Sequence, residues 1–280
     1  MGNTVTIDGF TLDLPWLHFG VMGKPGTGKS RLLASMPKKL LAIIVGDPRT
    51  KLQPYLDVGI ADTKEHVGPL GQTIILVRNA EGEVIIQIEC FWDVDPTMSE
   101  SAMTKVVGRM AAVVQEVNAG MWKSVAFDSW SGFEDAASYR RLIGPMSIKN
   151  PDGRAHRAIA KEDCRSVFIH QLVHLNCNVG IAFHVTKFTQ ENGGETTYNM
   201  KCIGDFASTV GQYLAERYHS ESLSDGVTRR LRTRPDGRFE LATLIEAPDP
   251  CDNSFGALFG PMITKKLAAA KAAAENQPKA

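Results

Sequence analysis

The chain has 280 residues, 43% of them hydrophobic and 22% charged, near the length at which a single core stops growing and chains begin to divide. Lysine plus arginine equals aspartate plus glutamate at 31 each, which excludes a global field that draws the protein onto nucleic acid or membrane and leaves such binding to a local patch. No apolar run approaches the roughly 18 residues of a membrane span and no basic-then-apolar leader opens the chain, so neither a membrane-spanning nor a secreted protein is expected. Five scattered cysteines (Cys90, Cys164, Cys177, Cys202, Cys251), with no CxxC pair, argue against a disulfide framework or a zinc knuckle and fit a reducing cytoplasm.

In chain order, "TVTIDGFTLDLPWLHFGVMG" reads as short strands, the last entering a glycine loop. A helix is predicted to open near Lys29 and stop before Pro37, since proline disfavours helix in the residue before it. "KLLAIIVGD" is nearly continuous apolar, the pattern of a buried parallel strand, and "QTIILVRNAEGEVIIQIECF" reads as two strands around a turn at "NAEGE". From Ser99 to Val117, Met103, Val106, Val107, Met110, Val113, Val114 and Val117 recur at helical spacing. "KSVAFDSW" is an apolar strand ending in an acid before a turn-prone "SWSG", "IGPMSIKNPDGRAHR" reads as a loop, and Ala160 to Asn176 as a helix with Val167, Phe168, Leu172 and Val173 inward. "NVGIAFHVTK" is another buried strand, and a long polar stretch follows it. "LAERYHSES" and "VTRRLRTRP" read as strands paired across "LSDG". Alternating strands and helices imply an α/β fold, a mostly parallel sheet with helices on both faces and ligand at the strands' C-terminal ends. Residues 1–250 are expected to form one core domain and 251–280 an appended extension, whose Ala/Lys-rich end reads as a frayed helix or a disordered tail.

The sharpest motif is "GKPGTGKS", a GxxxxGK[ST] loop filled by Gly23, Gly26, Gly28, Lys29 and Ser30. Glycines admit backbone torsions that let successive N–H groups converge on phosphate oxygens, and the helix that follows adds its unpaired N–H groups and positive dipole end. The nucleotide-binding stretch is Gly23, Lys24, Pro25, Gly26, Thr27, Gly28, Lys29, Ser30 and Arg31, with Lys29 on the β- and γ-phosphates and the Ser30 hydroxyl on Mg²⁺, so the expected cofactors are ATP and Mg²⁺. Such a site needs a carboxylate at a neighbouring strand end to support the metal, and Asp128 is the candidate; a strand-end Asp that only caps the next helix is the bland alternative. Hydrolysis also needs a group that orients or deprotonates water. Asp47, at the end of the strand after the loop helix, is the first choice, with Glu89 and Glu134 competing. His184, ending another central strand, is placed to sense the γ-phosphate.

Alternate residues of a strand share a face, so Arg230, Arg232 and Arg234 point the same way and suit phosphates, either of DNA or of a nucleotide across an interface. The alternative is a solvated face paired with Glu216 or Glu221. His170 and His174 have metal-like i, i+4 spacing but no third ligand, so an ordinary helix surface is expected there, and Trp130 is expected to be packing.

Taken in sequence, "GKPGTGKS", "AFDSW", a helix, "GIAFHVTK", a polar loop and "RRLRTRPDGRF" resemble the RecA-like P-loop ATPases, closest to the compact phage-encoded recombination and single-strand annealing ATPases, over roughly Leu12 to Ala247. The resemblance implies a RecA-like core and a γ-phosphate sensor at His184. It also implies that Lys187 to Gly204 is a mobile loop touching single-stranded DNA, and that Arg230 and Arg232 reach the ATP of a neighbouring subunit in a ring or filament. Asp47 is nearest to the family's catalytic glutamate but is shorter by a methylene. Lys187, Phe188, Tyr198 and Lys201 supply the basic and aromatic side chains that single strands require. The expected function is a Mg²⁺-dependent, DNA-stimulated ATPase in recombination, annealing or repair, in the host cytoplasm if phage-encoded. The rivals are an assembly protein that ATP pins together without hydrolysis and a small-molecule P-loop kinase; a helicase or packaging motor is expected to carry further domains.

Overall fold

A computed structural model describes residues 3–7, 9–62, 64–92, 102–142, 153–189 and 196–275. It opens with a two-stranded antiparallel ribbon, β1 (Asn3–Ile7) and β2 (Phe10–Leu14), followed by the loop strand β3 (His18–Gly23), helix α1 (Lys29–Ala34) and β4 (Leu40–Val45). Next come α2 (Gln53–Leu56), two-residue strands β5 (Ile60–Ala61) and β6 (His66–Val67), the hairpin β7 (Thr73–Arg78) and β8 (Val84–Phe91), and helix α3 (Ala102–Asn118). The chain continues through β9 (Ser124–Asp128), α4 (Trp130–Leu142), α5 (Gly153–His170), β10 (Asn178–Thr189), β11 (Thr196–Met200) and α6 (Phe206–Tyr213). It ends with β12 (Glu216–Ser222), β13 (Arg229–Arg232), β14 (Cys251–Asp252) and α7 (Phe255–Glu275).

All strands after β2 join one sheet, in the order β14-β13-β12-β3-β10-β9-β4-β8-β7-β5, with β11 on β10 and β6 on β7. The six strands from β12 to β8 in that order run parallel; both margins and the β10–β11 hairpin are antiparallel. The fold is therefore mixed α/β with a mostly parallel centre. The continuous apolar runs follow from cover on both faces. In β4, Leu41, Ile43 and Val45 enter the layer beneath α3, α4, α5 and α6, while Leu40, Ala42 and Ile44 enter the layer beneath α1, α2 and α7. Trp130, fully buried, is packing as expected, within 6 Å of the rings of Phe127, Phe133, Phe168 and Phe206.

Strand register gathers the site. His184 of β10 pairs with Gly23 of β3, and Ala182 pairs with Asp128 of β9, so β10 stands between the loop strand and the acid strand. Alternation then decides sides: Ala126 and Ala182 face the α1 layer, and two residues on so do Asp128 and His184.

Several expectations are corrected. The stretch expected as a loop from Lys187 to Gly204 is largely a hairpin: β10 runs to Thr189 and the β-prone "TTYNM" forms β11, while residues 190–195 lie outside the described residues. Of Ser129 to Gly132, read as a turn, only Ser129 lies outside helix: α4 begins at Trp130. The proposed loop before Ala160 lies outside the described residues from 143 to 152, and its "GRAHR" is the first turn of α5. That helix stops at His170, so His170 and His174 do not share a helix. The extension at 251–280 is built into the core at its start, where β14 pairs with β13 and Phe255, Leu258 and Phe259 of α7 are buried, while α7 continues to Glu275 as a helix with no further buried residue. No helix among the described residues is long and apolar enough to cross a membrane.

Candidate active site

The glycine loop is shaped by what surrounds it. Gly28 has φ 99°, and a Cβ built there would lie 2.3 Å from Asn253 Nδ2 and 2.5 Å from Arg229 Cδ, so both torsion and space demand glycine. Side chains from β12, β13 and the β14–α7 turn brace the loop's carbonyls: Ser220 Oγ donates to Thr27 O (2.7 Å), Asn253 Nδ2 to Gly28 O (2.8 Å) and Arg229 Nε to Gly26 O (3.0 Å). Carbonyls held outward leave the N–H groups free to face a ligand. Lys29 is buried and folds back over the loop, donating to Gly23 O (2.9 Å) and Lys24 O (2.8 Å).

In front of the loop lies a cavity of about 820 Å³, within the range of small-ligand sites. It is lined by Pro25, Gly26 and Gly28 through Arg31 on one side, by Asp128 and Ser129 at the end of β9 and His184 at the end of the parallel part of β10, and by Thr50, Lys51, Pro54, Asp57 and Val58 opposite, with Arg229 at the rim. Asp128 is buried, and its Oδ2 accepts a hydrogen bond from Tyr55 OH at 3.2 Å. Burial, reinforced by the Asp128 charge, pushes the Tyr55 phenol well above its ordinary value, so it stays a donor. Burial pulls the Lys29 ammonium down to about 8, opposed by Asp128 and reinforced by Lys51. His184 is lowered by burial and then by Lys29, Lys51 and Lys201, which keeps its imidazole neutral near pH 7.

Ser30 and Asp128 both line the cavity and offer hard oxygen donors. Among the described residues no three His, Cys, Asp or Glu side chains converge on one point. Mg²⁺ needs no such cage, because it binds through one or two protein oxygens plus phosphate oxygens and water. The residues present therefore fit Mg²⁺ carried in with a nucleotide.

Other candidates stand elsewhere. Asp47 does not line the cavity: its carboxylate accepts from Arg49 Nη2 (2.7 Å) and Nε (3.0 Å), and those hydrogen bonds hold it below the ordinary carboxylate range. The cause is Gly46, whose φ of 100° turns the chain at the end of β4, beyond Val45, which faces the α3–α4 layer. Glu89 is buried against Arg109, and Glu134 accepts from Trp130 Nε1 (2.9 Å) and Ile203 N (3.1 Å), its carboxyl pushed up to about 7 by burial. Arg230 and Arg232 point to the face opposite the cavity, where both hold Glu221; Arg234 follows the end of β13. Glu216 instead accepts from Tyr218, Thr243 and Leu244. Lys187 pairs with Tyr198 across the β10–β11 hairpin, Tyr198 stacks on Phe239 (5.1 Å), and Lys201 N donates to His184 O (2.7 Å).

Sequence reasoning missed Lys51, Tyr55, Arg229 and Asn253. Arg229 was within reach, since strand alternation sets it with buried Leu231 on the α1 side. Lys51, Tyr55 and Asn253 lie outside any motif and enter the site only through the packing of α2 and the β14–α7 turn.

No family model and no curated protein matches the chain. Among solved structures it is similar to an ATPase from the type III secretion system of pathogenic bacteria, at 10% identity and a TM-score of 0.44, over 75% of this chain and 53% of that one. The chain thus spans about half the length of that structure, and a likeness so loose lends no weight to any activity.

Proposed function

We propose that the chain is a Mg²⁺-dependent ATPase of RecA-like build that acts on single-stranded DNA in recombination, annealing or repair. The observation that carries the nucleotide part is a single cavity joining Lys29 and Ser30 of the loop, Asp128 of β9 and His184 of β10. In this reading the loop N–H groups and Lys29 hold the β- and γ-phosphates, while Ser30 and Asp128 hold Mg²⁺, which neutralises charge on the phosphate oxygens. The strand between loop and acid supports the RecA-like build, since His184 then stands where such ATPases keep a γ-phosphate sensor. The DNA part is supported by the β10–β11 hairpin, which carries Lys187 and Tyr198 and is tied at its base to His184 through Lys201. For Arg230 or Arg232 to serve a neighbouring subunit's nucleotide, each must first leave Glu221.

One observation favours a second reading, an assembly protein pinned by ATP with little turnover. Asp47 is held by Arg49 away from the cavity, whose carboxylates among the described lining residues are Asp57 and Asp128. The test is ATP hydrolysis with and without single-stranded DNA, with Lys29→Ala as control. DNA-stimulated turnover that vanishes in Lys29→Ala is the expected result. ATP binding and DNA binding without turnover would move the conclusion to the second reading, and absence of any DNA effect would remove the DNA part.

A further inference from the structure

Lys51 is a cavity residue that no motif explains. It lines the wall facing the loop, and its Nζ donates to Val45 O (2.6 Å) and lies 3.3 Å from Ser129 Oγ and 3.4 Å from Asp128 O. All three acceptors are neutral oxygens, and among the described residues Lys51 makes no ion pair. A half-buried ammonium in that position touches only neutral oxygens, while the Asp128 and Asp47 carboxylates act on it through space, so its charge is compensated only in part and an arriving anion would complete it. Lys29 is in the same state on the opposite wall, with two backbone carbonyls and no ion pair among the described residues. The two ammonium groups therefore face one cavity from two sides, with Asp128 and His184 between them.

The geometry points to Lys51 as a second phosphate ligand, supplied in cis, that contacts the terminal phosphate and makes the site distinguish a nucleoside triphosphate from a diphosphate. The inference rests on the nucleotide reading of the cavity. A phosphate chain that begins in the loop, where backbone N–H groups gather, ends toward the strand tips at Ser129 and Asp128, beside which the Lys51 ammonium is already anchored. The flexible four-carbon stem lets Nζ exchange the weak contacts at 3.3–3.4 Å for a phosphate oxygen while keeping Val45 O. Arg229, which reaches the rim from β13 and is engaged with Gly26 O, leaves this inner position to Lys51.

The test compares the affinities of wild type, Lys51→Met, Lys51→Arg and Lys29→Ala for ADP and for a non-hydrolysable ATP analogue, by displacement of a fluorescent nucleotide, with thermal melts of each free protein. Wild type should prefer the triphosphate. Lys51→Met should weaken the triphosphate analogue about 10- to 100-fold while leaving ADP within about twofold, Lys51→Arg should recover part of the loss, and Lys29→Ala should lose both ligands. A parallel loss of both ligands in Lys51→Met, or a lowered melting temperature with unchanged preference, would make Lys51 a staple between β4 and β9 and overturn the inference. Unchanged affinities would do the same. A wild type that binds neither ligand would instead remove the nucleotide reading itself, and this inference with it.

Discussion

Two buried cationic regions of the molecule are organised in opposite ways. Behind α3, Arg109 donates to both oxygens of Glu89 (2.8 and 3.0 Å) and to both of Glu116 (2.7 and 2.8 Å), while Gln72 and Gln87 complete Glu89 and Trp122 completes Glu116. Burial opposes its charge, but the hydrogen bonds to Glu116 and Glu89 outweigh that and hold the guanidinium above its ordinary pKa. At the cavity, Lys29 and Lys51 have only neutral acceptors, and burial lowers both. A charge that builds structure comes with its counter-charges already in the fold; a charge that serves a ligand is left for the ligand to complete.

The largest effect that would break this comparison is on stability. Arg109→Ala strands Glu89 as a buried, unpaired carboxylate and should cost about 3–5 kcal/mol in a denaturant melt, whereas a loss below about 1 kcal/mol would erase the contrast. Lys29→Ala should do the reverse. Nucleotide affinity should fall at least about 100-fold, roughly 2.7 kcal/mol, with stability changed by less than about 1 kcal/mol, as read by titration and melt on the same preparation.

Glu134 is the intermediate case, a buried carboxyl held by two neutral donors and pushed from 4.5 up to about 7. Because its folded pKa lies above its unfolded one, the folded state binds more protons between those values, and stability should decline as pH rises from about 4.5 to about 7. The total is on the order of 1–3 kcal/mol, and Glu134→Gln should flatten that slope while keeping an acceptor for Trp130. The smallest expected effect is at the partly exposed Arg230 and Arg232 pairs with Glu221, where either alanine variant should cost no more than about 1 kcal/mol. If these arginines also serve a neighbouring subunit, the same variants should lower turnover without lowering nucleotide affinity in the isolated chain.

Much of this was legible in one dimension. The loop motif, the apolar strands β3, β4, β9 and β10, the α3 periodicity and the β12–β13 pairing all follow from local patterns, because burial on two faces and helical spacing leave a direct imprint on residue order. Asp128 and His184 were legible for the same reason, as polar residues that close apolar runs, although only Asp128 ends its strand: His184 ends the parallel part of β10, which continues to Thr189 in the hairpin with β11. The path from Asp47 to Gln72 was not, since α2, β5 and β6 are short elements with no periodicity to read. The docking of residues 251–259 was not legible either: the helix read at the Ala/Lys-rich end is present, but the residues that bury it, Phe255, Leu258 and Phe259, precede that end.

By itself, then, the sequence determined where the glycine loop turns and which strands flank it, since glycine torsions and strand alternation are local properties. Only the tertiary structure decided which charged groups share that cavity. The positive φ at Gly46 leaves Asp47 with Arg49 and brings Lys51 back over the strand ends; the pairing of β13 with β12 turns Arg229 inward and Arg230 outward; and the β14–α7 turn delivers Asn253 to Gly28. Each of these joins positions that are adjacent only after the sheet has assembled, so no local pattern encodes them.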